Sequence, residues 1–106
     1  MAANNLDTAI DATGIAHKDA DRWAPDKPPD LPYVLYFPTG TSNFGADNIV
    51  YVPITNYEVE IYSNKRDPAS EALIDAALTN AGIFYDKVYD WIQSEELHRV
   101  IYSVTI

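Results

Sequence analysis

The residues whose types could do chemistry are two histidines, His17 and His98, and three close acidic pairs: Asp19 with Asp21, Glu58 with Glu60, and Glu95 with Glu96. A histidine within reach of a serine or threonine could act as the base of a nucleophilic site. Paired carboxylates could divide acid and base work or hold a hard cation. Each also has a plainer reading. His98 alternates to the same side of a C-terminal strand as Val100 and Tyr102, beside Glu96, which suits a half-buried strand histidine with a local partner. His17 follows directly on a first helix, and neither histidine lies in a GxSxG turn. Glu58 and Glu60 fall on the polar side of an alternating strand, with no apolar pocket to raise a carboxyl pKa. Asp19 and Asp21 lack the glycine turn and closing glutamate of a calcium loop. The four glycines are never spaced as GxG, so no loop cradles a phosphate. The reading assigns no catalytic residue, no cofactor site and no metal ligand.

The elements that must position these side chains belong to a chain of 106 residues, which sets an expectation of one domain over residues 1–106. Hydrophobic residues make up 47% and charged ones 22%, values of a globular chain and not of a disordered one. No cysteine is present, which removes disulfide frameworks, zinc fingers and thiol nucleophiles. Sixteen acidic residues against seven basic ones give a net charge of -9. Such a surface repels nucleic acid and anionic lipid, whose binding needs clustered Lys and Arg. Residues 1–15 do not read as a signal peptide, and the longest apolar stretch, 33–37, is far short of a membrane span. The expectation is a soluble protein made in the cytoplasm.

Leu6, Ala9, Ile10 and Thr13 recur at helical spacing, with Asn4 or Asn5 as a cap and Gly14 closing the helix. A weak strand is expected over 15–20. The proline- and aspartate-rich run 21–30 reads as a loop pinned by Trp23. Residues 31–38 read as a strand buried on both faces, 39–48 as a polar loop carrying Phe44, and 49–62 as one long strand. Odd positions of that strand form an apolar face. Its even positions are apolar at Val50, Val52 and Ile54 and polar at Asn56, Glu58 and Glu60. Pairing 31–38 with the first half, 49–54, makes an arm that is apolar on both faces and needs a cover, either the first helix or another subunit.

Asp67-Pro68 opens the main helix, as cap and first residue. Leu73, Ile74, Ala77, Leu78 and Ala81 form its buried stripe, and Glu71, Asp75, Thr79 and Asn80 are placed in water. Gly82 ends it. Strands over 84–92 and 97–105 then form a hairpin around 93–96. A shift of 68 residues aligns Asp7, Ala9, Gly14, Ile15 and Trp23 with Asp75, Ala77, Gly82, Ile83 and Trp91. Shared helix-closing chemistry and a true duplication both fit. The order predicts an α+β fold: a single-domain two-layer sandwich, a mixed β-sheet with two helices on one face and a long β-hairpin arm. Eight tyrosines with few lysines match the composition of protein interfaces as well as ordinary β propensity.

The segments PYVLY (32–36), ADNIVY (46–51), YEVEIYSNKRDPASE (57–71) and GIFYDKVYDWIQSEELHRVIY (82–102) resemble a family of small siphophage and prophage tail-terminator, or tail-completion, proteins. The likeness covers roughly 31–106 in order, with 6–15 matching more loosely. The family strand reads close to YxxELYTxKKD, and here the run Glu60-Ile61-Tyr62-Ser63-Asn64-Lys65-Arg66-Asp67 departs mildly from it. The resemblance implies a virion structural protein at the head-proximal end of the tail. Its partners would be itself in a ring, commonly a hexamer, the tail-tube protein and the head–tail connector. DNA would pass through the ring without specific binding, and no membrane is involved. The alternatives are a head–tail connector joining protein, a monomeric phage or prophage protein that binds one partner, and a small hydrolase using the acidic pairs. On the ring reading, the subunit or tube interface falls to Phe44, Asp47, Asn48, Val50, Val52 and Ile54. The acids expected to line the channel are Glu58, Glu60, Glu95 and Glu96.

Overall fold

Two stretches of helical periodicity and a run of alternating strands assemble into one mixed sheet backed by two helices. The computed structural model describes residues 2–23, 27–42, 44–46, 49–52 and 54–106, with the backbone alone for 2–4, 44–46 and 50–52. The elements are α1 (Ala2–Asp11), β1 (Ala16–Asp19), β2 (Tyr33–Thr41), β3 (Phe44–Ala46), β4 (Ile49–Val52), β5 (Thr55–Ser63), α2 (Pro68–Asn80), β6 (Tyr85–Ile92) and β7 (Leu97–Thr105). Five strands form a sheet in the order β1-β2-β5-β7-β6, with β1 parallel to β2 and the other neighbours antiparallel. The α+β architecture expected from the sequence is the one observed.

Both helices lie on one face. Leu6 and Ile10 of α1 and Ile74 and Leu78 of α2, all fully buried, share one cluster with Val34, Tyr36, Val59, Ile61, Tyr102 and Val104 from the three central strands. Alternation along each strand sends the intervening residues to the far face. There Tyr33, Leu35 and Tyr62 form a second cluster, joined by Trp23, Leu31, Ile92 and Leu97. Trp23 meets Tyr33 edge-on at 5.5 Å, so the tryptophan itself is held against β2 as expected.

Both helices close as their sequences specify. Thr13 Oγ1 donates to the Ile10 carbonyl at 2.6 Å, and Gly14 turns the chain at φ 77°. Asp67 accepts from the Ser70 amide at 3.1 Å, Pro68 takes the first helical position, and Gly82 sits at φ 73°. Ile15 and Ile83 follow the two glycines into the core. The helix α1 begins at Ala2, so Asn4 and Asn5 lie inside it and not at its cap.

Three expectations are corrected. The stretch 49–62 is not one strand. Strand β4 ends at Val52 and β5 begins at Thr55, and the two belong to different sheets. The strand 31–38 accordingly pairs with the second half of that stretch, Tyr33 opposite Tyr62 through Pro38 opposite Tyr57, and not with 49–54. Finally, 39–48 is not all loop. After a bulge between Pro38 and Gly40, β2 continues to Thr41, and 44–46 pairs with 49–52 as a separate two-stranded ribbon. The long arm expected from 31–38 and 49–54 therefore does not form, and outside the five-stranded sheet a short arm of β3 paired with β4 stands instead.

Candidate functional site

Charged and phenolic groups gather in three places, each set by the pairing of the strands. On the helix face, Lys87 of β6 reaches α2, bonding to Glu71 and to Asp75 at 2.9 Å. Tyr89 also donates to Glu71, and Tyr102 donates to Asp75 at 2.6 Å. Burial alone would raise Glu71, but the bonds from Lys87 and Tyr89 outweigh it and hold the carboxyl below its ordinary range. Lys87 is raised for the same reason, since its two carboxylates overcome the burial that disfavours its charge. Burial, helped by the bond to Asp75, pushes the Tyr102 phenol far up. Glu71 and Asp75 thus do not face water as their helical positions suggested. Leu73, placed in the buried stripe, is 48% exposed, and Ala81 is exposed as well. The helix is rotated toward its acids because Lys87 and Tyr102 lie beneath it.

On the far face Glu60 is 5% exposed, which overturns its assignment to a wet strand face and to a channel lining. It stands opposite Leu35 of β2, on the face where Tyr33, Leu35 and Tyr62 cluster. Tyr62 donates to Glu60 at 2.7 Å, and Arg99 stands 3.6 Å from it while also bonding to Asp90. Burial raises the Glu60 carboxyl against the lowering effect of Tyr62 and Arg99. The Tyr62 phenol is pushed up to about 12 by burial and by Glu60. Glu58 is half-buried, while Glu95 and Glu96 are exposed in the turn between β6 and β7. Sequence reasoning missed Arg99 because its two acids come from β5 and β6, and no single strand contains the triad.

The histidines stand apart. His17 Nδ1 lies 2.8 Å from the Ile15 carbonyl, and Nε2 is 3.9 Å from Asp7 and 3.8 Å from Asp11. Tyr36 donates to Asp7 as well. His98 is half-buried as expected, but its partner is Trp91, with ring centroids 4.7 Å apart, and not Glu96. None of the acidic pairs is brought together with a histidine and a hydroxyl. Asp19 and Asp21 remain exposed, with Asp21 bonded to Arg22. Among the described residues, no group of three or more His, Asp or Glu is placed to hold a metal.

What remains is surface. A cleft of about 610 Å³ opens between the start of α2 and the β6–β7 hairpin, walled by Ile61, Tyr89, Trp91, His98 and Val100, with Arg66 at its lip. Tyr89 and Trp91 are 58% and 47% exposed. Strand β6 is an edge of the sheet, so one side of its backbone is unpaired. The second surface is the β3–β4 ribbon. Of the interface residues expected there, Ile49's neighbours Val50 and Val52, and Phe44, lie on its backbone, Ile54 is half-buried at its base, and Asp47 and Asn48 lie outside the described residues. Among the described residues no helix is long and apolar enough to cross a membrane. No family model matches the chain, and no curated protein matches it in sequence.

Proposed function

We propose that this protein is a virion structural protein that caps the tail tube as a ring, ending tail polymerisation and forming the tail side of the head–tail joint. The observation that carries the proposal is the β3–β4 ribbon, a two-stranded sheet separate from the five-stranded one. An isolated two-stranded hairpin is marginal in water, and this one has Ile49 57% exposed. It is suited to burial against another protein surface. The likeness of 32–36, 46–51, 57–71 and 82–102 to tail-terminator proteins supplies the identity of that assembly. The net charge of -9 supports it, because a ring that passes DNA must not grip phosphates.

The test is negative-stain imaging of the purified protein with tail tubes that lack a terminator. Rings seated on one end of the tube, and tubes that stop lengthening, are expected. Tubes that lengthen as before with bare ends would overturn the proposal. Binding to the head connector instead of to the tube would transfer the protein to the connector side of the joint.

A further inference from the structure

We infer that strand β6 pairs with the β6 of a second copy of this chain, antiparallel about a twofold axis at Tyr89, so that two five-stranded sheets join edge to edge. The inference goes beyond the ring reading. A twofold contact is closed on itself and does not repeat head to tail, so it belongs to the protein off the tube.

Strand β6 is an unguarded edge. It runs from Tyr85 to Ile92 in unbroken register with β7, with no proline in it. Edge strands are commonly guarded by a bulge, a proline or an outward lysine. The one lysine of β6, Lys87, is drawn onto α2 by Glu71 and Asp75. Of the six large hydrophobic side chains left exposed among the described residues, four, Phe84, Val88, Tyr89 and Trp91, lie on this strand or just before it. They occupy both of its faces. Lys87 and Tyr89 bond to Glu71, so Tyr85, Lys87, Tyr89 and Trp91 lie on the helix face. Asp86, Val88, Asp90 and Ile92 lie on the far face, where Ile92 joins the second cluster.

The occupant must be an extended strand of similar length with apolar side chains on both faces. The other edge of the sheet, β1, is four residues long, Ala16–Asp19, and has no large apolar side chain to cover Val88, Tyr89 and Trp91. A second β6 meets the requirement. About a twofold axis normal to the sheet the faces are kept, so the axis must pass through a residue. Centred on Val88, the pairing of 85–91 with itself sets Asp86 against the partner's Asp90. Centred on Tyr89, 86–92 pairs with itself. Tyr89 then meets the partner's Tyr89, Lys87 the partner's Trp91, Val88 the partner's Asp90 and Asp86 the partner's Ile92.

In that register no charge stands opposite a like charge, an arrangement that destabilises strand pairs. The nearest acids are Asp86 and the partner's Asp90, two positions apart on the far face, and Asp90 is bonded to Arg99. On the helix face Glu71 and Asp75 are both bonded to Lys87. Glu95 and Glu96, in the turn after β6, lie beyond the paired stretch. The net charge of -9 on each copy remains as a general repulsion. Salt screens it, so the pairing tightens as salt rises.

The absence of cysteine gives a clean test. Facing residues of antiparallel strands have Cβ atoms about 5 Å apart, and residues two positions out of register about 7–8 Å; a disulfide spans only the first. Oxidised Tyr89→Cys should therefore give covalent dimers, and Val88→Cys, at an equally exposed position, should give few. Sedimentation of the native chain should show a dimer that strengthens from low to high salt. Tyr89→Lys sets two lysines face to face and should weaken that dimer about tenfold. Trp91→Lys, set against the partner's Lys87, should weaken it as well. A native chain that stays monomeric at every concentration and salt would overturn the inference and leave the edge to a different protein. Val88→Cys linking as readily as Tyr89→Cys, or a dimer unchanged by Tyr89→Lys, would overturn it too. None of these results bears on the ring reading, which is decided by tube capping.

Discussion

Tyr102 donates its phenolic proton to Asp75 at 2.6 Å, tying strand β7 to helix α2 across the core. Its partner pair at the other end of the sheet is Tyr36 and Asp7, where β2 holds α1 in the same way. Asp7 and Asp75 are 68 positions apart, the spacing of the weak internal echo. The likeness continues through Gly14 and Gly82, both at positive φ, into Ile15 and Ile83, both buried, and on into β1 and β6, the two edges of the sheet. It stops at the tryptophans: Trp23 packs on the far face and Trp91 beside His98.

Tyr102 is fully buried, so removing its hydroxyl takes a partner from Asp75 without exposing new surface. Tyr102→Phe should lower unfolding stability by about 1 kcal/mol. Asp75 keeps Lys87, which limits the loss. Urea denaturation measures it, and a variant as stable as the native chain would show that the bond contributes nothing net.

The fold was legible wherever local chemistry decides. Asp67-Pro68, Gly14 and Gly82 mark their helix ends by cap and left-handed geometry, and the 93–96 turn separates two strands of the expected extent. Legibility failed where pairing decides. Nothing in the alternation of 49–62 says that β2 will choose its second half, and that choice sets Glu60 opposite Leu35 while Arg99 stands beside it. Glu71 and Asp75 were misread for the same reason, because their cation, Lys87, comes from a strand that follows the helix. The cleft was not legible at all: its walls come from β5, β6, β7 and the start of α2.

Two opposite pH dependences follow from the carboxyls. Asp67 and Glu71 lie below their ordinary values of 3.8 and 4.5, Asp67 through its bonds with Ser70 and Glu71 through Lys87 and Tyr89 overcoming burial. Their contribution is complete above those values and is lost as pH falls through the lower folded ones. Glu60 lies above 4.5 because of burial, so its contribution declines as pH rises from there through its folded value. Glu60→Gln removes that decline and keeps an acceptor for Tyr62. Its stability relative to the native chain should rise between about pH 4 and pH 7. Denaturation curves at both pH values test it, and a constant difference would show that Glu60 titrates as a solvated acid.

Ile49 is 57% exposed on the arm, so a charge there meets water in the monomer. Ile49→Asp should change stability by less than about 0.5 kcal/mol and abolish ring assembly. Sedimentation at high concentration reads the second effect and thermal melting the first. A large loss of melting temperature with assembly intact would place Ile49 in the subunit's own core.

Glu95 and Glu96 are the channel candidates that the structure leaves exposed, side by side in the turn that joins β6 to β7. Glu60 leaves that set because it is buried, and Glu58 is half-buried beneath the same face. If the turn points into the hole of the ring, its two acids keep the wall from gripping phosphates. Reversing both to Lys would add cations where DNA slides, and each phosphate so neutralised releases counterions and tightens the hold. Tails carrying Glu95→Lys and Glu96→Lys should still assemble, since neither side chain is packed. They should eject DNA more slowly, and the delay should shrink at high salt, where exposed charges are screened. Unchanged ejection kinetics in fully assembled tails would turn this hairpin away from the channel. The cations of that variant would then sit on the outer wall, and the acids they replace would serve solubility alone.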